Sequence, residues 1–131
     1  MKQIFKEGDC KIYEKVVAFS DSASFEEEGT VHPVCATFAL ARDIEWASRL
    51  FVLEMKEEDE EGIGTMLSIY HKSPTLVGEK IRIEAKIKSI RDHELICSYE
   101  VRCNNRLIAE GETGQKILKK EKIERLFKEL K

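Results

Sequence analysis

The sequence of 131 residues is marked first by what it lacks. It has no run of about eighteen apolar residues free of charge, so no membrane-spanning helix is expected. Its opening, MKQIFKEGDC, has no apolar signal core and reads as mature cytoplasmic sequence. Neither sign of charge dominates: 22 Lys and Arg stand against 25 Asp and Glu, for a net charge of −3. That balance argues against a general nucleic-acid binder. The basic run from Lys116 to Lys122, interrupted by Ile117, Leu118 and Glu121, reads as a solvated edge. Cys10, Cys35, Cys97 and Cys103 lie far apart, without Cys-x-x-Cys or Cys–His spacing, and the three histidines are dispersed. No metal is therefore expected, and the cysteines read as small apolar residues of a reducing compartment. Asn and Gln are scarce beside Lys, Glu and Ile, a mix associated with thermophiles.

What remains is ordinary in hydrophobic content, 42%, and rich in charge, 36% against the roughly 25% typical of soluble domains. The length suits one domain over residues 1–131 with one real core. The stretch from Pro33 to Met55 organises it. Phe38, Ala41, Ile44, Ala47, Ser48, Phe51 and Met55 recur at three- and four-residue spacing, and Leu40, Trp46, Leu50, Val52 and Leu53 widen that face. The pattern predicts a long helix wrapped by other elements. Glu45 sits in its middle, and a carboxylate there either reaches the surface or has a partner.

Residues 10–19 read as a first strand, with Ile12, Val16 and Ala18 on one side. SDSASFEEEGT follows as a polar, acidic loop, and the run from Lys56 to Gly62 reads as an exposed connection. Beyond it the period changes from 3.6 to 2. Thr65, Leu67, Ile69 and His71 share one face of a strand that ends at Ser73-Pro74-Thr75. Three more strands alternate clearly, with inward faces Ile81, Ile83, Ala85, Ile87 and then Leu95, Cys97, Tyr99, Val101, Cys103, the last spanning Arg106 to Leu118. Asp92-His93 and Asn104-Asn105 are their hairpin turns. Ile123, Leu126, Phe127 and Leu130 close the chain as the stripe of an amphipathic helix over about 120–131. The class is α+β, one long helix wrapped by one curved antiparallel sheet. Such a sheet leaves exposed edges, and pairing with a second copy completes it.

Three polar residues stand where packing alone does not want them. Thr37 opens the helix, Glu45 follows eight residues later on roughly the same face, and His71 lies on the apolar side of its strand. A carboxylate oriented against an imidazole makes a general base near neutrality, and a hydroxyl beside them can orient water, bind an oxyanion or attack. From periodicity alone, a core histidine and a helix-capping threonine are the commoner readings, and a Cys35–His71 nucleophile pair is a rarer one.

The segments Val34-Cys-Ala-Thr37, Ile44-Glu-Trp-Ala47 and Gly64-Thr65 through Ile69-x-His71 resemble the fluoroacetyl-CoA thioesterase family of hot-dog proteins. The separations match too, eight from Thr37 to Glu45 and twenty-six from Glu45 to His71, and the likeness extends over most of residues 31–118. The resemblance implies a hot-dog fold and hydrolysis of an acyl-CoA thioester at the interface of a homodimer, or of a higher oligomer. It implies Thr37, Glu45 and His71 as the catalytic group, Gly64, Val31 and Cys35 as substrate-binding residues, and no cofactor beyond the CoA of the substrate. The N–H groups opening the helix suit an oxyanion. One departure bears on the substrate. The family's fluoroacyl enzyme has aromatic lid residues before its threonine, and residues 26–36 here contain none, so the expectation is a short-chain acyl-CoA without fluoroacyl selectivity. A hot-dog hydratase is disfavoured, because no Asp-x4-His arrangement is present. A non-catalytic acyl-CoA or acyl-carrier binding module is the alternative, since fold does not fix function.

Overall fold

The computed structural model describes residues 1–25 and 29–131, with only the backbone described at residues 25 and 29–31. Strict alternation decides the sheet. β6 (Lys80–Arg91), β7 (Glu94–Cys103) and β8 (Arg106–Lys119) form an antiparallel meander. Its hairpins turn through Asp92, His93 and Asn104, which take the left-handed conformations that tight hairpins require. β1 (Cys10–Val16) joins on the β6 side and β4 (Glu60–Leu67) on the β8 side, giving the order β1-β6-β7-β8-β4. The two-residue β5 (Tyr70–His71) also pairs with β8. β2 (Ser22–Phe25) and β3 (Gly29–Cys35) make a separate small ladder.

The helix α1 (Thr37–Met55) lies against the concave face of this sheet. Its Leu40, Ile44, Ala47, Phe51, Val52 and Met55 are almost fully buried with Ile81, Ile83, Ala85, Ile87, Leu95, Cys97, Val101, Ile108 and Ile117. Phe51 meets Phe5 edge-on, with ring centroids 5.1 Å apart. Truncating such a buried aromatic costs about 3–5 kcal/mol. This is the α+β hot-dog arrangement that the sequence predicts.

Several local expectations are corrected. Pro33 belongs to β3, so the helix opens four residues later than its apolar run. The cause is a pair of backbone bonds, Cys35 N–H to the Thr75 carbonyl at 2.8 Å and Ala36 N–H to the Asp21 carbonyl at 2.8 Å, which hold the chain extended up to Ala36. The segment expected as a loop contains a 3-10 turn (Phe19–Asp21) and strand β2, while residues 26–28 lie outside the described residues. The first strand faces the other way. Ile12 and Val16 are exposed, and Lys11, Tyr13 and Lys15 turn toward α1, because Lys11 pairs with Glu54 and Lys15 with Asp21 and Asp43. Nor is α1 buried all round: Trp46 and Leu53 reach solvent along with Glu45. The acidic connection is not wholly exposed either. Glu60 is buried, accepting the Glu57 N–H at 2.9 Å, and Glu61 pairs with Arg49 and Lys56. The closing helix α2 (Lys120–Glu129) buries no residue, and Leu126, Phe127 and Leu130 stay exposed.

Candidate active site

Thr37 is the first residue of α1. The preceding residue, Ala36, has no side chain to cap the helix, so the threonine hydroxyl is not spent on the helix end. It points instead at His71, with Oγ1 and Nδ1 3.0 Å apart. A knot at Ser68 fixes the near side of β5. The Ser68 N–H donates to the Glu112 carbonyl, its hydroxyl accepts from the Glu112 N–H at 2.9 Å, and the Tyr99 hydroxyl donates to its carbonyl at 2.8 Å. Gly111 permits this crossing, because a Cβ there would strike the Ser68 carbonyl. On the far side, the Lys72 and Ser73 N–H groups donate to the Ile108 carbonyl at 2.8 and 3.1 Å. His71 is held from both directions. Its Nε2 is buried with no hydrogen-bond partner among the described residues. Burial lowers the imidazole pKa below its ordinary value, opposed by a backbone hydrogen bond at Ser73, so the ring is neutral at pH 7.

Glu45 lies elsewhere. Its carboxylate forms no ion pair among the described residues, and its Oε1 would sit 3.2 Å from a Cβ at Gly64. Any residue larger than glycine at Gly64 would crowd the carboxylate. Glu45 and Gly64 line an open pocket of 210 Å³ with Arg42, Trp46, Arg49 and Gln115. Within one chain this pocket is remote from the Thr37–His71 pair. Eight helical residues separate Thr37 from Glu45, about 12 Å along the axis at about 1.5 Å each. His71 pairs with Ala109 and Gly64 with Gln115 on the same strand, six residues apart. That is about 20 Å of strand at about 3.3 Å per residue. The structure therefore brings Thr37 to His71, and Glu45 to Gly64, without joining the two pairs.

Cys35 is 3% exposed, with its thiol toward the Ala36 carbonyl. Burial, with Asp21 and Asp43 adding to it, pushes the thiol pKa up to about 11, which leaves it protonated and a poor nucleophile. The side chain of Val31 lies outside the described residues. Among the described residues no cluster of three or more His, Cys, Asp or Glu is placed to hold a metal ion, and no helix is long and apolar enough to cross a membrane.

Two groups of residues escape the sequence reading. Thr113 and Gln115 on β8 face the helix and are 1% and 5% exposed. The Thr113 hydroxyl donates to Ser48 Oγ at 2.7 Å, Ser48 donates to the Ile44 carbonyl at 3.4 Å, and Gln115 Nε2 donates to the Glu45 carbonyl at 3.4 Å. The signal was present as two polar residues in the inward register between Ala109 and Ile117. The other group is the buried pair Asp21 and Asp43, bridged by Lys15 and Arg42. Burial opposes ionisation of Asp21, but the Ala18 N–H, Arg42 and Lys15 together hold its pKa below the usual carboxylate range. No sequence signal pairs residues so far apart.

Residues 17–121 match the sequence profile of the fluoroacetyl-CoA-specific thioesterase family. The chain belongs to that family. Among solved structures, a Thermus thermophilus hypothetical protein of the thioesterase superfamily is 35% identical, with a TM-score of 0.92 over 98% of this chain and 94% of its own. The fluoroacetyl-CoA thioesterase FlK superposes with a TM-score of 0.87 over 95% and 96% of the two chains at 18% identity. A hot-dog-like protein from Thermanaerovibrio acidaminovorans gives 0.86 over 95% and 92% at 13% identity. At those low identities the two establish the fold alone. No curated protein matches the chain. As a member of the fluoroacetyl-CoA-specific thioesterase family, this protein is a thioester hydrolase of the acyl-CoA thioesterase type, built on the hot-dog fold.

Proposed function

We propose that the protein hydrolyses a short-chain acyl-CoA to the free acid and CoA, with Thr37, Glu45 and His71 as its catalytic group, at the interface of a homodimer in the cytoplasm. The observation that carries this reading is the 3.0 Å contact of Thr37 Oγ1 with a neutral His71, set beside an unpaired Glu45 carboxylate that Gly64 leaves uncrowded. In this reading the neutral imidazole takes the proton of the Thr37 hydroxyl or of a water, and the Glu45 carboxylate serves as the second base. The partial positive charge at the first turn of α1 stabilises the oxyanion that forms as the carbonyl is attacked.

The separation of the two pairs within one chain supports the dimer, since a second copy can bring its Glu45 to the first copy's Thr37 and His71. The edge of β4 away from β8 carries no strand among the described residues and is the natural seam. Mutants of FlK are seen with acetyl-CoA and with fluoroacetate and CoA, which supports a small acyl group here. The absence of aromatic residues from positions 26–36 argues against a preference for fluoroacyl substrates.

The test is thiol release from a panel of short acyl-CoAs by wild type and Glu45→Gln. Loss of about a hundredfold or more in kcat by a folded variant fits a group that acts in the transition state. Absence of turnover on the whole panel, with CoA binding retained, would leave the non-catalytic acyl-CoA binding module as the function.

A further inference from the structure

Gln115, whose amide meets the Glu45 backbone carbonyl, has no part in the catalytic group named above. Gln115 is 95% buried, an expensive position for an amide, and the little surface it keeps lines the Glu45–Gly64 pocket. Its orientation is fixed by elementary hydrogen-bond chemistry. The Glu45 carbonyl can only accept, so the amide NH2 must face it across 3.4 Å. The amide oxygen is then the atom left over, and it has no partner among the described residues. Two acceptors thus stand in one pocket: the Glu45 carboxylate, unpaired, and the Gln115 amide oxygen. Gly64 contributes no side chain between them. A ligand that satisfies two acceptors must bring two donors. Water does so and still keeps its lone pairs to present to an electrophilic carbon.

We propose that Gln115 holds the hydrolytic water together with Glu45, and is a catalytic residue for the step that consumes it. This rests on the thioesterase reading of the Glu45 pocket. In that step the water oxygen forms a bond to the acyl carbonyl carbon and one water proton passes to the Glu45 carboxylate. The bond from that carbon to its leaving group breaks. The leaving group, CoA thiolate or a side-chain oxygen that carries the acyl group, then takes the proton back from Glu45. The products are carboxylic acid and a protonated leaving group, and atoms and charge balance. Gln115 gains and loses nothing; its oxygen accepts the second water proton as a hydrogen bond and aims the attack.

The test is Gln115→Met, which keeps the length and volume of the side chain and removes its acceptor. Turnover of the best short acyl-CoA is measured with and without hydroxylamine, and products are divided into acid and hydroxamate after subtraction of the uncatalysed reaction. An aimed water competes well with the added nucleophile. Its loss should lower kcat about tenfold to a hundredfold, leave KM within about threefold, and raise the hydroxamate-to-acid ratio at least about fivefold. The ratio is a property of each active molecule and does not depend on the fraction folded. Thr113→Val is the companion variant, because Thr113 braces α1 through Ser48 and has no atom in the pocket. It should lower stability and leave the ratio unchanged. A wild-type ratio in Gln115→Met, with wild type active and Glu45→Gln inactive, overturns the role of Gln115 alone. A wild type inactive on every short acyl-CoA overturns the thioesterase reading of the pocket and this proposal with it.

Discussion

Coexpressing Thr37→Ala and Glu45→Gln chains tests whether the two halves of the site come from different copies. In one chain Thr37 and His71 touch, while Glu45 lies about two helical turns, or about 12 Å, further along α1. A side chain does not close that distance along its own helix, so the reading requires Glu45 of the second copy. A twofold dimer then holds two sites, each with Thr37 and His71 from one chain and Glu45 from the other. Either variant as a homodimer has both sites broken. A mixed dimer concentrates both lesions in one site and leaves the other intact. Random assortment makes about half of the dimers mixed, so the coexpressed sample should recover about a quarter of wild-type activity. The assay is thiol release, with native mass spectrometry to count mixed dimers after tagging one variant. If mixed dimers form and activity stays at the sum of the two variants, the site lies within single chains and the distance argument is wrong. If the protein is a monomer at assay concentration, the homodimer fails outright.

Two further predictions concern charge. Because burial lowers the His71 pKa, the acid limb of kcat/KM should have its midpoint below 6.5 and the profile should be flat above it to about pH 8; a midpoint at or above 7 would refute a neutral His71 base. The sign for stability is the same: the unfolded chain binds this proton more readily, so stability is lost as pH falls from about 6.5 toward the folded value and is unaffected above it. Lys15→Met should destabilise the fold by about 3 kcal/mol in urea denaturation at pH 7, since it leaves the buried Asp21 and Asp43 only the more exposed Arg42. A loss below about 1 kcal/mol would mean that Arg42 alone neutralises both.

The meander and the helix were legible because each obeys one period. Ile81 to Ile87 and Leu95 to Cys103 alternate strictly and are buried as their alternation predicts. β1 faces against its apolar pattern for a reason that reaches beyond it. Period counting assigns apolar residues inward, yet Lys15 is drawn in by two carboxylates, one 6 and one 28 residues away. Long-range ion pairing carries no periodic mark. The same holds for the site. Thr37, Glu45, Gly64 and His71 stand out by residue type and by family likeness, but their division into two distant pairs appears only once strand register fixes where Gly64 and His71 fall along β8. Gln115 is legible only as a polar residue in an inward register; its partner, the Glu45 carbonyl 70 residues away, is not.

The hairpins of β6, β7 and β8 have a consequence for the order in which this chain acquires its function. Their turns are short and their pairings local, so the entropy of closing them is small and the three strands can form early. The Thr37–His71 contact spans 34 residues, and the Gln115–Glu45 contact spans 70. Neither can form before α1 has docked on a sheet that already exists. A nascent molecule thus acquires its architecture before its chemistry, and partial unfolding runs the sequence backward, silencing the enzyme while most of its sheet is still intact.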